Sequence, residues 1–240
     1  MTLRLSAVAF DTPNPAAAGA FWAGVLGRGI LETPDGVLVP GSETQLGLRF
    51  VTVSAFDLAT APSRQRLHLH VATTSSYSPT QVMETAVRLG GSRRGTKPIP
   101  ADNEIYMSDP AGYDFCIIEP GNRYLAGCGP LGEVTCDGTR EVGLFWRDAL
   151  GWPLVWDEGL QTAVQSPLGG TKIAWDGEED GTEYIPDEQR FELIADDLTA
   201  ELRRLVRLGA TILDEERHVV ILTDLDGGVF AVREGCRLSD

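Results

Sequence analysis

The chain has 240 residues, 42% hydrophobic and 23% charged, a globular balance with enough apolar mass for one large or two modest cores. Its formal net charge of −15 and pI near 4.6 set it against phosphate backbones and anionic bilayers, so neither nucleic acid nor membrane is an expected partner. No leader-like start and no span-length apolar run is present, and Cys116, Cys128, Cys136 and Cys236 form no CxxC pair, which together point to a cytoplasmic protein with reduced thiols.

In chain order, a strand is predicted from Leu5 to about Asp11. A turn follows, then a helix carrying Phe21-Trp22 and closing on Leu26-Gly27. SAFDLATAPSRQ from Ser54 reads as a loop. RLHLHV from Arg66 alternates as a strand does, and leads through a polar start signal into an amphipathic helix ending at Leu89-Gly90. Arg93, Arg94 and Lys97 read as a solvated turn, not a basic site. MSDPAGYDFCIIEP from Met107 is an Asp-rich glycine turn feeding an apolar strand. Gly and Pro then interrupt the pattern in PGNRYLAGCGP, Pro120 to Pro130, which marks a boundary.

The same series then begins again. LGEVTCDGTREVGLFWRDALG, Leu131 to Gly151, repeats strand, turn, Phe-Trp helix and Leu-Gly, and Trp146 stands as far from Gly151 as Trp22 does from Gly27. The acidic run from Asp176 reads as an exposed loop in the place of the earlier one. RFELIADDLTAELRRLVRLGAT from Arg190 repeats strand and helix, with Leu198, Leu202, Leu205 and Leu208 on one helical face. LTDLDGGVFAVREG from Leu222 repeats the turn and strand, while His218 reads as a surface residue at a strand start.

This order, spacing and duplication resemble the glyoxalase/bleomycin-resistance/dioxygenase (vicinal-oxygen-chelate) superfamily, and most of all its glyoxalase-like branch with a late DPxG turn. The resemblance implies an α+β fold of two tandem glyoxalase-like domains, 1–121 and 128–240, each a pair of βαβββ units whose curved mixed sheets enclose a cleft. The four units would run over about 1–55, 56–121, 128–178 and 186–236.

Metal-dependent relatives place His, Gln or Glu at four inward positions. Carried over by the resemblance, these fall on Ala7, Gly47, His68 and Cys116 in the first half, and on Glu133, Lys172, Glu192 and Ala231 in the second. One His and one Cys, or two carboxylates beside a Lys, are too few convergent donors for a divalent ion, so no metal is expected.

His68 and His70, at i and i+2 on one strand, face the same side and are the candidate acid–base pair. Cys116 would lie in the same half as a possible thiolate. Its alternative is a small buried core residue. Trp22 and Trp146 are expected in the core. Trp152, Trp156 and Trp175 have no counterparts in the first half and are candidate ligand-binding aromatics, with Glu133 and Glu192 as polar anchors in the same cleft. No nucleotide fingerprint, P-loop, nucleophile elbow or HExxH is present, so no cofactor is expected. The reading is a metal-free protein that binds and sequesters a hydrophobic or aromatic small molecule, as a monomer or homodimer. The alternatives are a cofactor-independent isomerase, cyclase or lyase using His68 and His70, and a metal-dependent lyase or dioxygenase if the strands are misaligned by two residues.

Overall fold

The computed structural model of the chain describes residues 3–54, 66–94, 104–177, 189–216 and 218–235. The loop at 55–65, Lys97, the acidic run beyond Gly177 and Cys236 lie outside the described residues.

Four βαβββ units follow one another. The first is β1 (Leu3–Thr12), α1 (Pro15–Leu26), β2 (Leu31–Thr33), β3 (Gly36–Val39) and β4 (Gly47–Thr52). The second is β5 (Leu67–Ala72), α2 (Pro79–Arg88), β6 (Ser92–Arg93), β7 (Ile105–Ser108) and β8 (Asp114–Ile118). The third is β9 (Leu131–Cys136), α3 (Arg140–Leu150), β10 (Leu154–Glu158), β11 (Gln161–Gln165) and β12 (Lys172–Trp175). The fourth is β13 (Gln189–Ala195), α4 (Leu198–Leu208), β14 (Thr211–Glu216), β15 (Val219–Thr223) and β16 (Val229–Glu234). Each helix opens on a polar cap: Asn14, Ser78, Thr139 and Asp197 each accept from a backbone N–H of the first turn. Gly27 and Gly151 close α1 and α3 at φ 66° and 64°, a left-handed conformation that suits glycine.

The sheets join units across the two halves. One sheet runs β14-β15-β16-β13-β1-β4-β3-β2 and combines the fourth unit with the first; the other runs β10-β11-β12-β9-β5-β8-β7-β6 and combines the third with the second. The seams are antiparallel pairs, β1 with β13 and β5 with β9. Each cleft is therefore shared between halves, where the resemblance implied that each half encloses its own. The physical reason is that four similar first strands offer interchangeable edges, so satisfying their backbone groups does not select a partner. The short connection 119–130 makes the selection for one sheet: it lays β9 beside β5, and Pro130 O accepts from Ala72 N–H at 3.0 Å. Two amides, Gln189 buried and Gln45 half-buried, tie one sheet to the other. Gln189 exchanges bonds with the Leu67 backbone at 3.0 and 2.7 Å, and Gln45 accepts from Leu131 N–H at 3.0 Å.

The halves are held instead through their helices. The helix α1 packs on β3 and β4 and against α2, which lies on the other sheet; α3 and α4 do the same in the second half. The helices thus form a middle layer between the two sheets, and the main core lies there. The duplicated motifs meet in it. Trp22 Nε1 donates to Asp109 at 2.8 Å, and Trp146 Nε1 donates to Asp224 at 3.0 Å, so each Phe-Trp helix is bonded to the late Asp turn of its own half. Both indoles are 1% exposed. A buried bond to a carboxylate contributes about 1.5–3 kcal/mol. The described cysteines, Cys116, Cys128 and Cys136, are buried and form no disulfide with one another. No helix among the described residues is long and apolar enough to cross a membrane.

Candidate ligand cleft

With helices on the inner faces, strand alternation sends the other side chains into the outer clefts. On β5 the residues Leu67, Leu69 and Val71 are buried in the core, and His68 and His70 are half-buried on the cleft side. Register aligns a row across the second sheet: Tyr106 on β7, Cys116 on β8, His70 on β5, Glu133 on β9 and Lys172 on β12. The equivalent row of the first sheet is Ile221, Ala231, Glu192, Ala7 and Gly47. All the positions carried over by resemblance lie on these two rows except one. His70 occupies the place assigned to His68, which pairs with Thr135 one step along. The two-residue shift left the face unchanged, and so left no trace in the alternation.

In the second sheet the row becomes a hydrogen-bonded cluster. His70 Nδ1 lies 2.9 Å from Glu133 Oε2, and Tyr124 Oη donates to Glu133 Oε1 at 2.5 Å. Thr135 Oγ1 donates to Oε2 at 3.3 Å. Burial pushes the Glu133 carboxyl up, but the bonds from His70, Tyr124 and Thr135 outweigh it and leave the group below the usual Glu range. The Tyr124 phenol is driven up by its own burial and by the Glu133 charge, so it stays a donor. Lys172 is buried. Its Nζ donates to the Tyr124 carbonyl and sits 3.8 Å from the centroid of the Tyr124 ring. Next to the row, His68 Nε2 lies 3.0 Å from Cys116 Sγ. Burial, with His70 beside it, lowers the His68 pKa to about 4, so this ring is neutral at physiological pH.

A cavity of about 280 Å³ opens over this cluster, lined by His70, Tyr124, Glu133, Thr135, Trp156 and Thr162 among others. Trp156 meets Tyr124 edge-to-face at 5.7 Å and is 38% exposed, an aromatic rim above a polar floor. Trp175 borders the same cavity from behind: it alternates with Ala174 onto the helix side, is 2% exposed and stacks on Trp146 at 6.5 Å. Two candidates lie elsewhere. Trp152 lines a separate groove of about 760 Å³ with Leu5, Gln45 and Leu168, because it follows Gly151 at the far end of α3. Glu192 lies on the first sheet, so it is not in one cleft with Glu133; the crossed pairing of the units separates them. There it is 3.2 Å from Arg233 Nη2 and 3.6 Å from Arg49 Nε, and Arg49 also binds Asp35 at 2.5 Å. Sequence reasoning missed Tyr124, which sits in the Gly/Pro connection read as punctuation. A large aromatic among turn residues was the available signal.

A family model described as a glyoxalase-like domain matches residues 7–118 and again 133–233. The chain belongs to the glyoxalase-like family. No curated protein matches the sequence. Among solved structures, glyoxalase I from Zea mays is similar at 15% identity and a TM-score of 0.71, covering 97% of this chain and 92% of that one. A single-residue variant of it gives 16% and 0.71 over the same shares. A Bacillus subtilis protein provisionally assigned as a dioxygenase gives 14% and 0.59, over 97% of this chain and 85% of that one. At these identities the likeness is one of fold.

The glyoxalase-like fold implies a divalent metal in relatives, and the four-position rows here do not fit one. In the first sheet Ala7, Gly47 and Ala231 carry no donor, and Glu192 is held between two guanidinium groups. In the second sheet the fourth position is a lysine, whose buried ammonium opposes a cation there, and both oxygens of Glu133 already accept hydrogen bonds.

Proposed function

We propose that this glyoxalase-like protein binds a small molecule with a planar apolar part and one polar group, in the cleft of the second sheet. The observation that carries the reading is the pairing of an aromatic rim, Trp156 against Tyr124, with the polar His70–Glu133 floor in one cavity of about 280 Å³. A mostly apolar cleft with a few fixed polar groups is how small-molecule sites obtain both affinity and orientation. A metal at the four row positions has no part in it. 2-Naphthol, planar with a single hydroxyl, probes this chemistry. Its titration should quench tryptophan fluorescence to saturation at one site per chain, and Trp156→Ala and Glu133→Gln should each weaken it. Unsaturable quenching, or an affinity that neither substitution changes, would reject the reading.

A second reading, turnover without a cofactor, is favoured by one arrangement. A buried carboxylate fixes His70, and an imidazole held in this way serves as a general base. It requires that His70→Ala abolish conversion of a substrate while binding in the cleft survives.

A further inference from the structure

The floor of the second-sheet cavity carries three hydrogen-bond donors, and one carboxylate takes all of them. Glu133 is held ionised, so both of its oxygens can only accept. His70 Nδ1–H therefore donates to Oε2 at 2.9 Å, Tyr124 Oη–H to Oε1 at 2.5 Å and Thr135 Oγ1–H to Oε2 at 3.3 Å. A hydroxyl has one proton and two lone pairs, and a neutral imidazole protonated at Nδ1 has a bare lone pair on Nε2. What the floor has left for a ligand is lone pairs. The chief one is His70 Nε2, which has no hydrogen-bond partner among the described residues, on a side chain 19% exposed where it lines the cavity. Donors are scarce around it. Lys172 gives its ammonium to the carbonyl and ring of Tyr124 and does not line the cavity. Thr162 turns its hydroxyl away, toward Gly143 of α3. The Gln161 amide and the Trp156 indole N–H stand on the exposed rim, where water meets them. Asp176, the other carboxyl among the described lining residues, adds a further acceptor.

We infer, resting on the small-molecule reading of this cleft, that it selects ligands by an un-ionised hydrogen-bond donor, a hydroxyl or N–H on the planar ring, and rejects carboxylates, phenolates and ethers. His70 Nε2 accepts the ligand's hydrogen, which makes His70 the residue that determines specificity. Glu133 is a positioning residue: by binding Nδ1–H it fixes which ring nitrogen carries the proton. An anion seated on this floor would face Glu133 and Asp176 with no donor to receive it. An ether would displace water from Nε2 and leave that acceptor unpaired. Such a mismatch discriminates more sharply than a difference in ligand size, because the unpaired group belongs to the protein and cannot be avoided by a shift of the ligand.

The test is tryptophan-fluorescence titration of the full chain with three ligands of one ring system: 2-naphthol, 2-methoxynaphthalene and 2-naphthoate. At about pH 8 a phenolic hydroxyl keeps its proton, a free imidazole is uncharged and a carboxylic acid is ionised. 2-Naphthol should bind the unsubstituted chain roughly tenfold or more tighter than 2-methoxynaphthalene, and roughly thirtyfold or more tighter than 2-naphthoate. His70→Phe should bring 2-naphthol and 2-methoxynaphthalene to within about threefold of each other. Glu133→Gln offers an amide N–H to Nδ1, moves the ring proton to Nε2, and should erase the preference for 2-naphthol over 2-naphthoate. Loosened packing alone would weaken all three ligands together. If 2-methoxynaphthalene or 2-naphthoate binds the unsubstituted chain as tightly as 2-naphthol, in a cleft that Trp156→Ala still weakens, donor selection is overturned and the small-molecule reading stands. A preference that survives His70→Phe overturns it as well. If none of the three saturates, or Trp156→Ala changes none of them, both fall together.

Discussion

The two clefts of this protein are built on one plan and finished in opposite ways. In the first sheet the central carboxylate, Glu192, lies between Arg49 and Arg233, and the positions beside it are Ala7, Ala231 and Gly47. That floor is closed by its own ion pairs. In the second sheet the equivalent places hold His70, Cys116, Glu133 and Lys172, and the carboxylate is met by His70, Tyr124 and Thr135 under an aromatic rim. That floor keeps its hydrogen-bonding groups at an open cavity. The contrast shows how a duplicated frame can close one cleft floor with ion pairs and leave the other facing a cavity.

The comparison can be broken most severely in the first sheet. Glu192→Ala removes the buried carboxylate shared by Arg49 and the third-exposed Arg233, leaving Arg49 its bond to Asp35, and should cost about 2 kcal/mol in urea unfolding. The same protein should bind 2-naphthol unchanged. A cost below about 0.5 kcal/mol would mean the first floor is not held by its ion pairs.

The next effect lies in pH. The unfolded chain protonates His68 near 6.5, whereas the folded chain does so only near 4. The unfolded state therefore binds the extra proton in that window. Stability from this group is complete above pH 6.5 and is lost as pH falls toward 4. The native protein should lose about 2 kcal/mol more than His68→Gln between pH 7 and 4.5. Parallel stability curves for the two would place His68 in solvent.

Smaller changes sharpen the second cleft. Trp156→Ala should weaken 2-naphthol about tenfold, with unfolding midpoints nearly unmoved because the indole is well exposed. Tyr124→Phe removes one donor to Glu133 and should cost about 1 kcal/mol of stability. An equal loss from Tyr124→Phe in a Glu133→Gln background would show that the phenol is stabilised by something other than that carboxylate.

Much of this was legible in the residues. The Phe-Trp helices, their glycine caps and the late Asp turns gave the duplication, and the structure adds the reason they recur together: Trp22 bonds Asp109 and Trp146 bonds Asp224. The row positions Ala7, Gly47, Cys116, Glu133, Lys172, Glu192 and Ala231 were also readable through the resemblance. The row histidine was not, because His68 and His70 share a face and period-two alternation cannot tell them apart. Nor was the crossed pairing, since equivalent strand edges leave it to the 119–130 connection. Tyr124 was hidden in that same connection. Trp152 was misplaced because tryptophan count does not say which end of a helix faces the cleft, whereas Trp175 borders the cavity from its buried side.

Backbone amide chemical-shift mapping during titration with 2-naphthol tests the central claim most directly. The account predicts perturbations concentrated on β5, β9 and β12 around His70, Glu133 and Ala174, with the strands around Glu192 silent. Perturbations centred on Glu192 and Arg49, or in the groove at Trp152, would contradict it.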